Sequence, residues 1–296
     1  MMRGVKLVNK KRWPLMAVAP ASLFLAFIFA IPVFQVVRTS LSKTDGLGEP
    51  GAFNGFHNFE KLFGDPIFLP NMINTFVWTL GVLIPATAFS IAVALLLDLK
   101  LPGNLLYRAV VFMPWAICFV FVAIIWQYIF DQLFGPLNSL LALVMNKEID
   151  TAWLGTPSLA MPSIIWVGIT LTVPFTTLVL LAGLQSIPSE VLEAGTCDGA
   201  NGIKMFFYIK LPILKPVLTV VTLVNLLAIF NSFPIIWTMT GGGPDHATDT
   251  FPTYLYQIAF GDYDFGKAGA LSVIGLLILS GMSFLYLRKS SVNEML

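Results

Sequence analysis

The stretch Ser186-Ile187-Pro188-Ser189-Glu190-Val191-Leu192-Glu193-Ala194-Gly195-Thr196-Cys197-Asp198-Gly199-Ala200-Asn201-Gly202-Ile203-Lys204-Met205-Phe206-Phe207-Tyr208-Ile209-Lys210-Leu211-Pro212-Ile213-Leu214-Lys215-Pro216 is the one long polar interruption in the second half of a very apolar chain. Pro188 suits the first turn of a helix, and Glu190 and Glu193 fall in its early turns, where the helix dipole favours negative charge. That helix is expected to stop at Asp198-Gly199, because glycine readily supplies the left-handed conformation that ends helices. Asn201 then caps a second short helix whose Ile203, Phe206, Phe207 and Ile209 share an apolar side. Pro212 and Pro216 close the stretch and restart an apolar segment. The expected product is a compact knob of two short helices between two membrane spans.

Composition sets the surroundings of this knob. With 57% hydrophobic and 11% charged residues, and a mean hydropathy of +0.82, the chain is far more apolar than a soluble domain, in which about a quarter of residues are charged. It belongs in a bilayer. Its 296 residues accommodate about six spans of about 20 residues each and leave no room for a soluble domain of ordinary size. A net charge of +1 supplies no basic field for nucleic acid. Cys118 lies in an apolar run and Cys197 in the knob, so the two make no disulfide framework and read as small fillers. His57 and His246 stand far apart and read as loop histidines, since metal sites need clustered ligands.

Arg3, Lys6, Lys10, Lys11 and Arg12 precede an uncharged run from Trp13 to Val37. The run is too long for the core of a signal peptide and ends in no clear small-residue cleavage site, so it reads as an uncleaved first span. The segment from Arg38 to Pro70, with Gly46-Leu47-Gly48-Glu49-Pro50 and Asn54-Gly55, is turn material. Further spans are expected over Asn71–Leu97, Ala109–Phe130, about Met161–Leu184, about Val217–Trp237 and Ala268–Leu287, with a short turn at Asp98–Arg108 and a polar loop at Asp131–Pro157. The chain thus divides into a basic tail (1–12), a first transmembrane helix (13–37), a five-helix core (71–287) carrying the knob (186–216), and a second tail (288–296). The fold class is an all-α integral membrane protein with six transmembrane helices.

Orientation follows from the basic residues. With the amino terminus inside, the inner segments hold Arg3, Lys6, Lys10, Lys11, Arg12, Lys100, Arg108, Lys204, Lys210, Lys215, Arg288 and Lys289, against Arg38, Lys43, Lys61, Lys147 and Lys267 outside. The knob is therefore expected to face the cytoplasm, and both termini with it.

The order Glu193-Ala194-Gly195, Asp198-Gly199-Ala200, Phe206, Ile209, Leu211-Pro212 resembles the cytoplasmic "EAA" loop of binding-protein-dependent ABC importer permeases. With Ile187-Pro188 before it, the stretch is most similar to the carbohydrate importer group. Gly195 stands where that pattern usually has Ala, a change costing about 1 kcal/mol of helix propensity. The resemblance continues through Asn74-Thr75, Phe112-Met113-Pro114-Trp115 with Trp126, Ala182-Gly183-Leu184-Gln185, Thr240-Gly241-Gly242-Gly243-Pro244 and Gly266-Lys267-Ala268-Gly269-Ala270-Leu271-Ser272, covering nearly the whole chain. It implies a type-I importer permease fold in a bacterial or archaeal inner membrane, working by alternating access. The implied partners are a second, different permease, two ATPase subunits, an extracytoplasmic solute-binding protein, a sugar substrate and membrane lipid. The implied ATPase-coupling residues are Glu193, Ala194, Gly195, Asp198, Gly199, Ala200, Phe206, Ile209 and Pro212. This chain is expected to bind no cofactor, with ATP and Mg held by the partner ATPase.

No enzyme chemistry is legible in the residues themselves. Gly261-Asp262-Tyr263-Asp264-Phe265-Gly266-Lys267-Ala268 approaches a phosphate-loop pattern, but Ala268 replaces the hydroxyl residue that would hold magnesium and no strand precedes it. The expected spans contain no Asp, Glu, Lys, Arg or His in their interiors, which argues against a proton- or ion-coupled carrier. A path for a neutral sugar or polyol, bound by aromatic faces with amides and hydroxyls, fits better. The candidate path residues are Asn225, Phe230, Asn231, Ser232 and Phe233. By the resemblance, Asn231, Ser232 and Phe233 fall where a maltose permease contacts its sugar, although Pro234 has no clear counterpart there. Helix-to-helix hydrogen bonding is the competing role for Asn231 and Ser232. Glycerol 3-phosphate remains an alternative cargo, and a secondary transporter or a membrane scaffold the alternatives of other classes.

Overall fold

A computed structural model of the chain describes residues 13–99 and 102–289. The basic tail 1–12, Lys100 and most of the tail 288–296 lie outside the described residues. Contacts divide the chain into two units, Met1–Gly64 with Ile258–Ile274, and Asp65–Gln257 with Gly275–Leu296.

In the first unit, helix α1 (Trp13–Ser40) contains Pro20 and Pro32, and its candidate span Val18–Ser40 buries none of its apolar window within the chain. An antiparallel hairpin follows, β1 (Ser42–Thr44) and β2 (Pro50–Phe53), with Ser42 opposite Phe53 and Thr44 opposite Pro50. Asp45 shapes its turn by accepting hydrogen bonds from the backbone N–H groups of Leu47 at 3.0 Å and Glu49 at 2.9 Å, a use of Asp that favours turns over regular structure. Helix α2 (His57–Phe63) buries Asn58, whose amide donates to the carbonyls of Ser40 and Ser42, each at 2.9 Å. The hairpin and α2 occupy the region expected to be turns only.

The second unit is built on α3 (Phe68–Asp98) and α7 (Pro157–Gln185). Their buried faces, with Trp78, Val82, Ile164 and Val167 at 1% exposure or less, form the centre of one apolar cluster. Gly168 permits this approach, since a Cβ there would lie 2.7 Å from both Trp78 and Val82. Between α3 and α7 come α4 (Asn104–Phe112), a 3-10 turn (Met113–Ala116), α5 (Phe119–Ile129) and α6 (Pro136–Met145). The single span expected over Ala109–Phe130 is instead two helical segments bent by 96°. Pro114 withholds the N–H that α4 would need to continue and lies in a 3-10 turn, after which Ile117 and Cys118 are extended and α5 sets off in a new direction. Among the described residues, the six-span expectation corresponds to five long apolar helices plus this bent pair.

After α7 come α8 (Ser189–Cys197), the one-turn α9 (Gly202–Lys204), a π-helical turn (Met205–Lys210), and α10 (Leu211–Phe230). Pro216 lies inside α10, whereas Pro212 stands in its first turn, where the apolar segment was expected to restart, directly after the π-helical turn. There the ordinary ladder is already interrupted, so the missing N–H costs little. A break at Asn231–Phe233 precedes α11 (Pro234–Thr240), and a loop leads to α12 (Phe251–Tyr256) with a π-helical turn behind it. Helix α13 (Phe265–Lys289) begins in the first unit and ends in the second.

Candidate functional site

The knob takes its shape from a glycine. Gly199 has φ +80°; its N–H donates to the Thr196 carbonyl at 3.0 Å, and the Ala200 N–H donates to the Gly195 carbonyl at 2.9 Å. This pair of bonds, crossing over a left-handed residue, is the Schellman ending of a helix, and it satisfies the carbonyls that α8 leaves open. The Asn201 side chain accepts from the Lys204 N–H at 3.1 Å and so caps the next turn. Gly195 is buried, and a Cβ there would run into Ile209 and come within 3.3 Å of Met205. Glycine at this position therefore brings the two knob helices together.

The expected shared apolar side divides under the π-helical winding. Ile209 packs inward on Gly195, whereas Ile203, Phe207 and Tyr208 are 72%, 57% and 79% exposed. Phe206 is half-buried, with its ring centroid 4.9 Å from that of Phe207. Glu193, Ala194, Asp198, Gly199 and Pro212 are exposed and Ala200 is intermediate. The knob thus presents glutamate, aspartate and aromatic side chains together on an uncovered surface, a composition suited to a protein partner.

A second feature lies among α3, α5, α7 and α10. Here a cavity of about 160 Å³ is lined by Trp78, Trp115, Phe119, Thr172, Phe175, Asn225 and Ser232, together with apolar residues. Its lining contains no ionisable side chain. Trp115, placed by the turn that bends the third span, stacks on Phe175 with centroids 5.9 Å apart and planes 25° apart. The buried Asn225 donates to Thr176 Oγ1 at 2.7 Å, and Thr176 in turn donates to the Thr172 carbonyl at 2.9 Å. Trp78 donates its indole N–H to the Ile229 carbonyl at 2.8 Å, fixing α3 to the end of α10. Flat aromatic faces with a few amide and hydroxyl groups are the equipment for a neutral, hydroxyl-rich ligand.

Of the five path residues read from the sequence, the cavity brings together Asn225 and Ser232. Phe230 is 1% exposed and packs on Phe251 at 5.4 Å. Asn231 is exposed, and its amide donates to the Leu227 carbonyl at 2.9 Å. Phe233 stacks on Trp237 at 5.3 Å and meets Tyr256 at 5.1 Å. None of these three lines the cavity. Sequence reasoning passed over Trp78, Thr172 and Phe175; the signal for the last two is their i, i+3 spacing in an apolar helix, one turn beyond Gly168.

The loop between α11 and α12 holds a buried carboxylate. Asp249, its side chain 1% exposed, lies 2.6 Å from His246 Nδ1 and accepts from Gln257 at 3.1 Å. Burial pushes its pKa above the usual carboxylate value, against the lowering effect of bonds to His246, Thr253 and Gln257. Between the ordinary carboxylate value and the raised one, the folded carboxyl retains a proton that the unfolded one has released. Its contribution to stability is fully present below the ordinary carboxylate pKa and is lost as pH rises through the raised value. Among the described residues, no group of three or more His, Cys, Asp or Glu side chains is placed to hold a metal ion.

Comparison with known proteins agrees with this architecture. A probable ABC transporter permease protein of Brucella suis is 36% identical over 97% of this chain and 99% of its own length. The sulfoquinovosyl glycerol transport system permease protein of Agrobacterium fabrum is 35% identical over 91% of this chain and 87% of its own. The fold matches a chain in the crystal structure of a bacterial ABC transporter involved in the import of the acidic polysaccharide alginate, with a TM-score of 0.80, 21% identity, and coverage of 95% of this chain and 96% of that one. The model of the binding-protein-dependent transport system inner membrane component family matches residues 86–290, and this chain, a multi-pass permease, belongs to that family.

Proposed function

We propose that this permease forms half of the path by which an ATP-driven importer carries a neutral sugar, oligosaccharide or sugar conjugate. The cavity of aromatic rings, Thr172, Asn225 and Ser232, without an ionisable side chain, is the observation that carries this reading. A charged cargo would need a compensating group, which this lining does not contain and which the second permease would have to supply. A relative named for sulfoquinovosyl glycerol transport supports the glycosyl part of the cargo; its sulfonate is charged, so neutrality rests on this lining alone. In this reading the knob at 186–216 faces the cytoplasm and docks on one of two ATPase subunits, which hold ATP and Mg. A second permease completes the path, and an extracytoplasmic binding protein delivers the solute. Twelve basic residues on the knob's side of the membrane against five on the other support the orientation.

The test is to purify the complete importer in nanodiscs and identify the solute that co-purifies with it and with its binding protein. A neutral glycosyl compound is expected. A phosphorylated polyol as the only bound solute would overturn the cargo assignment while leaving the permease assignment intact.

A further inference from the structure

We infer that the ion pair Asp98–Lys210 is a positioning strut that passes movement of the knob to α3, and through α3 to the cavity. The inference rests on the reading of the knob as the element that meets the ATPase. Asp98 is the last residue of α3. An acid there opposes the helix dipole, whose negative end it adjoins, so the local sequence gives no reason for it. The reason is tertiary. Lys210 Nζ lies 2.9 Å from Asp98 Oδ2, and both side chains are about four-fifths buried. A charge-assisted bond with so little water around it holds a more fixed geometry than an exposed pair.

Its two ends join different parts of the proposed machinery. Lys210 closes the π-helical turn of the knob, a winding that often marks functional positions, and it follows Ile209, the residue against Gly195 of α8. Asp98 stands beside Leu97, which packs in one apolar cluster with Leu184, Ile187 and Leu214 and with the partly buried Leu192 of the knob. Further along α3, Trp78 lines the cavity and is hydrogen-bonded to Ile229. Helices α3 and α10 are thus tied at the knob end by Asp98–Lys210 and at the cavity by Trp78–Ile229. A displacement of the π-helical turn draws on both helices at once, rather than on α10 alone.

A pair that merely stapled the fold would give the same contacts, so the test must read the cavity's response and not only stability. In a background with Cys118 and Cys197 replaced by Ser, Ser232→Cys reports the cavity through its labelling rate with a charged maleimide. The complete importer in nanodiscs is labelled with and without ATP and vanadate. The parent is expected to change its labelling rate at least tenfold. In Asp98→Asn and in Lys210→Gln the change should fall below threefold, with the ATPase still bound and still hydrolysing ATP. Lys210→Arg and the double reversal Asp98→Lys with Lys210→Asp should restore most of the response. A full response in the single variants overturns the strut, as does a response lost only in proportion to lost complex. Gly199→Val is run alongside. If it loses the response while the pair variants keep theirs, the strut alone fails; if it responds fully, the knob reading fails and the strut with it.

Discussion

Gly199→Val is expected to leave a permease that inserts in the membrane at normal levels but loses tenfold or more of the ATP hydrolysis stimulated by its loaded binding protein. A Cβ at this position meets nothing within 4 Å, so crowding is not the cause. The cost comes from the backbone, since φ is +80° and a residue other than glycine in left-handed geometry costs on the order of 1 to 2 kcal/mol, with a β-branched one at the upper end. The crossed bonds Gly199–Thr196 and Ala200–Gly195 then open, and the angle between α8 and the π-helical turn is no longer set. The knob is small and exposed, so the loss falls on coupling rather than on folding of the helices around it. Gly199→Asn, which tolerates the left-handed region, should retain most of the stimulated hydrolysis. Equal loss in both variants, or normal activity in the valine variant, would remove the turn from the coupling mechanism.

Asn225→Leu is expected to reduce solute uptake about tenfold or more at unchanged assembly, and to do so by a wider margin than Asn231→Leu. Asn225 is 5% exposed, lines the cavity, and is joined to α7 through Thr176. Loss of one buried hydrogen bond to a solute is worth about 1 to 3 kcal/mol, and about 1.4 kcal/mol corresponds to a factor of ten. Thr176 keeps its own bond to the Thr172 carbonyl, so the substitution leaves no orphaned donor in the helix pair. Asn231 by contrast spends its amide on the Leu227 carbonyl at the end of its own helix. Uptake in membrane vesicles, normalised to assembled complex, is the measurement, and a larger loss from Asn231→Leu would move the path away from this cavity.

Much of this molecule was legible in the sequence because the bilayer imposes one pattern strongly. Long uncharged runs gave α3 and α7 to within a few residues, as Phe68–Asp98 against an expected Asn71–Leu97 and as Pro157–Gln185 against about Met161–Leu184. Gly199 and Asn201 announced the knob's turn and cap for local reasons, and both take those conformations. The hairpin β1–β2 was not legible, because Pro50, Gly51 and Asn54 carry turn propensities and the bonds that fix the segment from Asn58 and Gly266 are tertiary. The 96° bend after Pro114 was equally hidden, since hydropathy counts residues and not direction. The π-helical turn has no propensity signature, and it alone sends Ile209 inward while Phe207 and Tyr208 remain exposed. The cavity was half legible. Asn225 and Ser232 stood out as polar residues in an apolar run, whereas Trp78, Trp115 and Phe175 are ordinary span residues until α3, α7 and the bent turn bring them to one place.

In the proposed importer the knob touches an ATPase in the cytoplasm, and the distribution of basic residues predicts that Leu47 is extracytoplasmic. A photoreactive amino acid placed at Tyr208, and in a separate chain at Leu47, tests this arrangement in intact membranes; both positions are well exposed, at 79% and 87%. Position 208 is expected to crosslink to an ATP-binding polypeptide, and position 47 is not. Crosslinking of the ATP-binding polypeptide to position 47, with none at position 208, would contradict it.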